Sequence, residues 1–355
     1  MINAILTLFF CLVCLPHTYA EEKNKNNSLS FSAEKGLPAP LLLLDNFFLH
    51  HVIIAEKSSH QLHLFENDGS YPKHIKSFQM ATGKKMGNKT FQGDYRTPEG
   101  VYFFTDFIPR DKLLERYGKD GVIYGAGAFV MDYPNPIDSR AGKSGSGIWL
   151  HSTNDETRIE KGLDSRGCLV TANDDLKAIS QYIELNRTAV VVVHDLHFLK
   201  ESSWNLARKQ IIDALNEWVS AWQQEDLEKY MSFYHPTEFK DSRGNFKQFK
   251  EYKKAVFMKS GKPQIVISDV SILWPDNYVM VTLKQYYKSE SINDTGKKTL
   301  YLKRDEFYDW KIVSENWSKI PQEENQNEVP HNSNLAFRPS MRFFKIDQST
   351  TSTTQ

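Results

Sequence analysis

Between His51 and Val193 glycine, proline and asparagine interrupt the chain so often that it favours short extended runs over long helices. HVIIAEKSS, HQLHLFEND and HIKSFQMATG read as strands, with Leu62 and Leu64 alternating and Asn67-Asp68-Gly69 forming the turn of a hairpin. Gly83, Gly87, Gly93 and Gly100 punctuate TGKKMGNKTFQGDYRTPEGVYFF, in which Thr97-Pro98-Glu99-Gly100 turns into a strand of Val101 to Phe104. Asp111–Tyr117 suits one short helix in a loop excursion. The strand AFVM then leads through a Pro/Asn/Gly loop to a strand ending at His151. Thr188–Val193, β-branched and apolar, is expected to be a buried closing strand. This part of the chain is therefore expected to be mainly β.

The pattern changes near Phe198–Ser203. Trp204, Ile211, Ile212, Leu215, Trp218, Val219 and Trp222 recur at helical spacing, and Tyr230 and Tyr234 mark a second helix. After a lysine-rich stretch (Lys247, Lys250, Lys253, Lys254), four segments read as consecutive antiparallel strands: Gln264–Trp274, Asn277–Lys288, Thr299–Arg304 and Phe307–Trp317. Helices packed on a curved sheet make this half α+β. At 355 residues two domains are natural. The expected boundaries are 1–20 for a leader, 21–50 for an N-terminal arm, 51–198 and 199–318 for the domains, and 319–355 for a polar, largely disordered tail in which Leu335–Ile346 could dock locally.

A formal net charge of +0 provides no global field to attract nucleic acid, and none is expected as a partner. Residues 1–20 carry a short apolar run ending in Thr18-Tyr19-Ala20, the form of a secretory signal peptide with its cleavage site; the lack of Lys or Arg before the run leaves an uncleaved inner-membrane anchor as the lesser alternative. Leu37–Phe48 is too short to span a membrane and is expected to pack on the first domain or on another copy of it, as in a homodimer through the arm. Of three cysteines, Cys11 and Cys14 lie in the leader, so the mature chain keeps only Cys168. A lone thiol cannot form an intramolecular disulfide in an oxidising compartment, which favours a reactive role.

Ser165-Arg166-Gly167-Cys168 presents that thiol beside a glycine, downstream of His151 at a strand end. A free thiol near pKa ~8.5 is mostly protonated at neutral pH and needs a base, for which His151 is the natural partner. The amides around Gly167 and Cys168 are candidate oxyanion donors. Thr171-Ala172-Asn173-Asp174 has the spacing of a capping box, which places a helix start just after the thiol. Arg166 could bind a substrate carboxylate or be an exposed structural arginine; Ser165 could bond the histidine or shape the turn. A backbone carbonyl or Asp164 could orient His151. His194, Asp195 and His197 read as a solvated strand exit, and neither a metal nor a cofactor is implied.

At these residues the chain resembles the L,D-transpeptidase catalytic family, or YkuD domain, whose signature of a histidine followed by Ser/Thr-x-Gly-Cys matches His151 and Ser165-Arg166-Gly167-Cys168. The resemblance covers about Val52–His194. It implies a YkuD-like β-sandwich with a short helix after the catalytic cysteine, with Cys168, His151 and Gly167 catalytic. The family's usual glycine after the histidine is Ser152 here, and Leu169-Val170 stands where a basic residue often follows the cysteine. Arg166 or Arg140 would then have to meet the substrate carboxylate, with Ser165 and Ser152 beside them. Gly-Cys-Leu-Val-Thr-x-Asn, with a nuclear-transport-factor-like (SnoaL-like) second domain, is similar to cell-shape-determining peptidoglycan L,D-carboxypeptidases. That branch implies attack by Cys168 on the meso-diaminopimelate–D-Ala bond of peptidoglycan stem tetrapeptides in the periplasm, with water or an amine as acceptor. An enzyme attaching or releasing wall-linked lipoprotein, or a catalytically idle wall-binding protein, are the competing readings.

Overall fold

The structure is a computed structural model that describes residues 36–69, 71–320 and 343–344. The expected leader, the Asn/Lys-rich stretch after it and the expected polar tail lie outside the described residues, Phe343 and Phe344 excepted. No helix among the described residues is long and apolar enough to cross a membrane.

The first domain is built on one eight-stranded mixed sheet. Its order is Leu169–Val170, Trp149–His151, Gly127–Met131, Gly100–Pro109, Ala189–Val193, His51–Glu56, Gln61–Asn67 and Pro72–Gln79. The closing strand Ala189–Val193 sits at the centre, parallel to His51–Glu56 and antiparallel to Gly100–Pro109, and all five of its residues are buried. Side chains alternate across a strand, so its two faces feed different cores. Val190 and Val192 join Ile53, Ala55, Tyr102 and Phe104 on one side. Val191 and Val193 join Val52, Ile54, Val101 and Phe103 on the other. Burial on both faces is the reason this strand reads as an unbroken apolar run. Phe343 and Phe344, within the tail segment expected to dock, pack on Phe107, and Phe343 also reaches Phe129.

The second domain is a five-stranded antiparallel sheet ordered Trp310–Lys319, Asn293–Arg304, Val279–Lys288, Gln264–Leu273 and Leu41–Leu43. The helix Glu201–Gln224 lays Trp204, Ile211, Leu215, Trp218 and Trp222 against one face of that sheet, where Ile272, Val281 and Leu300 meet them. The opposite face turns Leu273, Met280, Tyr301 and Val313 into the core shared with the first domain. The N-terminal arm, expected on the first domain or a second copy, supplies the fifth strand of this second sheet and buries Leu41, Leu44, Phe48 and Leu49 between the two domains.

One element had no expectation from the sequence, and one local expectation is corrected. The lysine-rich stretch is a helix, Phe246–Ser260, entered through a capping box of Asn245 and Gln248. Its core face runs Phe249, Lys253, Phe257, and the lysine in the middle hides the apolar period. The Lys253 ammonium lies 4.1 Å from the Trp222 ring centroid and 4.6 Å from that of Tyr230, and burial pushes its pKa down to about 7. Thr171 does not cap the helix after the thiol. That helix spans Asn173–Ser180 with Ala172 as its uncapped N-cap, while the buried Thr171 hydroxyl donates to the Gln79 carbonyl at 2.9 Å.

Candidate active site

The strand register brings the histidine and the cysteine together. Leu169–Val170 runs parallel to Trp149–His151, with Leu169 opposite Leu150 and Val170 opposite His151. Cys168 precedes Val170 by two positions and shares its face of the sheet, so it and His151 are diagonal neighbours on one face of adjacent strands. Packing agrees, because Cys168 joins Trp149, Ala128, Val130 and Tyr124 in one cluster on that face.

His151 is 2% exposed, and its Nδ1 lies 2.6 Å from the Ser152 carbonyl oxygen. A carbonyl only accepts, so Nδ1 carries the proton and Nε2 is left as the basic nitrogen. A backbone carbonyl thus orients the ring. Burial pushes the imidazole pKa down to about 4. Cys168 is half-buried, and burial pushes its thiol up to about 11. At neutral pH the pair is therefore thiol and neutral imidazole. The thiol donates weakly to the Gly147 carbonyl at 3.5 Å.

Gly167 has φ +133°, and a Cβ there would sit 2.8 Å from the Arg96 carbonyl oxygen, so the position admits only glycine without displacing the loop. Its N–H donates to Ser165 Oγ at 3.0 Å, and Ser165 Oγ donates to the Cys168 carbonyl at 2.6 Å. Ser165 therefore shapes the turn. The Gly167 amide, expected with that of Cys168 as an oxyanion donor, is engaged by Ser165.

Ser152 is fully buried and faces the interior. Its Oγ accepts from the Ala126 N–H at 2.7 Å, beside Asn173 Oδ1, which accepts from the same N–H at 2.9 Å. These bonds hold the turn at Gly125, where a Cβ would meet Asn173 Oδ1 and Ser152 Oγ at 2.5 Å. The turn in turn fixes Tyr124, whose ring lies edge-on to His151 at 5.0 Å and 5.1 Å from Trp149. Neither Tyr124 nor its packing on His151 had a sequence signal, because contact across 27 positions depends on tertiary structure.

The arginines separate. Arg166 is exposed. Arg140 donates to the carbonyls of Glu238 and Lys240 in the second domain, the former at 2.9 Å. Arg158, which sequence reasoning passed over, ties the loop between the histidine and the cysteine: Nε donates to Asp164 Oδ2 at 2.5 Å, and Nη1 to the Ile123 carbonyl at 3.1 Å and to Thr153 Oγ1 at 3.2 Å. The opposite wall is the 84–96 loop, held by the buried Lys89–Asp94 pair at 2.8 Å and by Lys57, which donates to the Gly87 and Thr97 carbonyls and to Glu99. Among the described residues no group of three or more His, Cys, Asp or Glu could hold a metal.

A histidine and a thiol thus share one face of a mixed sheet, with glycine before the thiol. Residues 50–192 match the model of the YkuD L,D-transpeptidase catalytic domain, and residues 210–316 match that of the Cds6 C-terminal NTF2-like domain. Bd1075 of Bdellovibrio bacteriovorus is 31% identical with a TM-score of 0.71, over 81% of this chain and 99% of that one. The helical cell shape determining protein Pgp2 of Campylobacter jejuni is 25% identical with a TM-score of 0.59, over 78% and 96%. No curated protein matches the chain. The chain belongs to the YkuD L,D-transpeptidase family, in the form that carries a C-terminal NTF2-like domain.

Proposed function

We propose that this protein is a periplasmic enzyme that cleaves the meso-diaminopimelate–D-Ala bond of peptidoglycan stem tetrapeptides through a Cys168 acyl-enzyme. The observation that carries the reading is the placement of His151 and Cys168 as diagonal neighbours on one sheet face, with the Nδ1 proton committed to the Ser152 carbonyl. Nε2 takes the thiol proton as Sγ attacks the carbonyl carbon, and the oxyanion that forms is met by the Cys168 amide. Collapse breaks the C–N bond, His151 returns the proton to the departing D-Ala amine, and a thioester remains. Water activated by the same imidazole releases a tripeptide and regenerates the thiol; an amine in its place yields a crosslink.

Incubating the protein with purified tetrapeptide muropeptides and resolving the products by mass tests this. Tripeptides plus free D-Ala indicate hydrolysis, and diaminopimelate-to-diaminopimelate dimers indicate transfer. The reading fails if neither forms, or if Cys168→Ala yields the same products as the unmodified chain.

A further inference from the structure

The substrate of the proposed reaction ends in a carboxylate beside the scissile bond, and the two residues after the cysteine, Leu169 and Val170, carry no charge. Some other cation must meet that charge. Arg140 is committed to backbone carbonyls of the second domain, and Lys89 is 3% exposed and paired with Asp94. Arg166 is exposed and has no hydrogen bond among the described residues to hold its guanidinium in one place.

Arg158 differs from all three. A guanidinium has five N–H donors in a planar fork. Three are used, one by Asp164 and two by the Ile123 carbonyl and Thr153 Oγ1. These anchors come from three segments that surround the site: the turn carrying Tyr124, the residues after His151, and the strand leading to Ser165. The plane is thereby fixed, while the side chain stays 17% exposed and both Nη2 donors have no partner among the described residues. Its charge acts on Cys168, His151 and Tyr124 alike, which puts the guanidinium within electrostatic range of the thiol.

We propose that Arg158 is the substrate-specificity residue of this site: its free Nη2 edge receives the terminal carboxylate of the stem peptide, while its other three donors hold the wall in register with Cys168. This rests on the stem-peptide reading above. Asp164 plays the counterpart, offsetting part of the arginine charge until a carboxylate arrives.

Two reagents that differ chiefly in one charge separate this role from a merely structural one. Alkylation of Cys168 by iodoacetate and by iodoacetamide is measured on the full chain and expressed as a rate ratio, so that changes in thiolate fraction or access cancel. Arg158→Gln lowers the iodoacetate-to-iodoacetamide ratio about tenfold. Arg158→Lys retains most of it, Asp164→Asn raises it, and Arg166→Gln leaves it unchanged. An equal ratio in the unmodified chain and Arg158→Gln, or a fall produced by Arg166→Gln instead, overturns the assignment. With tetrapeptide as substrate, Arg158→Gln raises KM about 10- to 100-fold with a smaller effect on kcat. A tetrapeptide ending in D-alaninamide shows that raised KM already in the unmodified chain, with no further rise in the variant. If the variant raises KM equally for acid and amide, the terminal carboxylate is not the group received. If the chain consumes no stem peptide at all, the functional reading falls, and the reagent ratio still decides what Arg158 recognises.

Discussion

At the scale of single residues, burial keeps both His151 and Cys168 neutral at pH 7. With the thiol pushed up to about 11, alkylation of Cys168 by iodoacetamide is expected to keep accelerating beyond pH 9, where an unperturbed thiol near ~8.5 would have levelled off. A plateau below pH 9 would contradict that environment. Gly167→Ala drives a Cβ into the Arg96 carbonyl from a φ of +133°, so it is expected to cost about 1–3 kcal/mol of stability and to displace the thiol. Chemical denaturation measures the first effect and product formation from tetrapeptide the second. Ser165→Ala leaves the Gly167 N–H without its acceptor, and is expected to disturb the same turn by about 1–3 kcal/mol.

At the scale of elements, two hydrogen-bonded walls flank the thiol. Lys57, at the end of the strand His51–Glu56, reaches across to Gly87, Thr97 and Glu99, its nitrogen 2.7 Å from the Glu99 carboxylate. Its side chain is 5% exposed, so Lys57→Met removes a buried charge together with its partners' bonds. The expected loss is about 2–4 kcal/mol, discounted because Glu99 keeps some contact with water. Limited proteolysis of the variant should cut first within 84–99; an unchanged pattern would show that Lys89 and Asp94 hold the loop alone. Ser152 and Asn173 do the equivalent work behind Tyr124.

For the whole molecule, the two domains share a core and do not merely adjoin. The Tyr278 hydroxyl, on the second domain, accepts from the Val101 N–H at 2.7 Å and from Asn135 Nδ2 at 3.1 Å in the first. Tyr278→Phe leaves those donors buried and unpaired, and is expected to cost about 1–3 kcal/mol. Calorimetry of the variant should show the single transition broadening or splitting, and an unaltered profile would mean that the apolar interface alone couples the domains. Acid should also weaken the fold. Burial holds His51 near about 3, His74 near about 4 and His151 near about 4, all below the 6.5 of an unfolded chain. Between pH 6.5 and 4 the unfolded state therefore binds more protons at these sites, and stability is lost as the pH falls. Asp132, raised to about 6 by burial, acts oppositely between 3.8 and 6, as does the raised Asp45, but three imidazoles outweigh them. The melting temperature is expected to be lower at pH 4.5 than at pH 7 at constant ionic strength.

Local order in the chain was enough to identify the β-rich first half, the long aromatic helix, the four later strands and the His151–Cys168 pair. Each depends on period, turn chemistry or a motif confined to a few adjacent residues. The helix Phe246–Ser260 escaped because Lys253 occupies a core position whose aromatic partners lie on other elements. Thr171 matched a capping box in spacing, yet its hydroxyl found the Gln79 carbonyl, 92 positions away. Residue order alone therefore determined most of the elements and singled out the His151 and Cys168 pair. Tertiary structure decided how Arg158 is anchored, which acceptor the Gly167 amide meets, and what orients the ring, because each depends on partners that only folding brings within hydrogen-bonding distance.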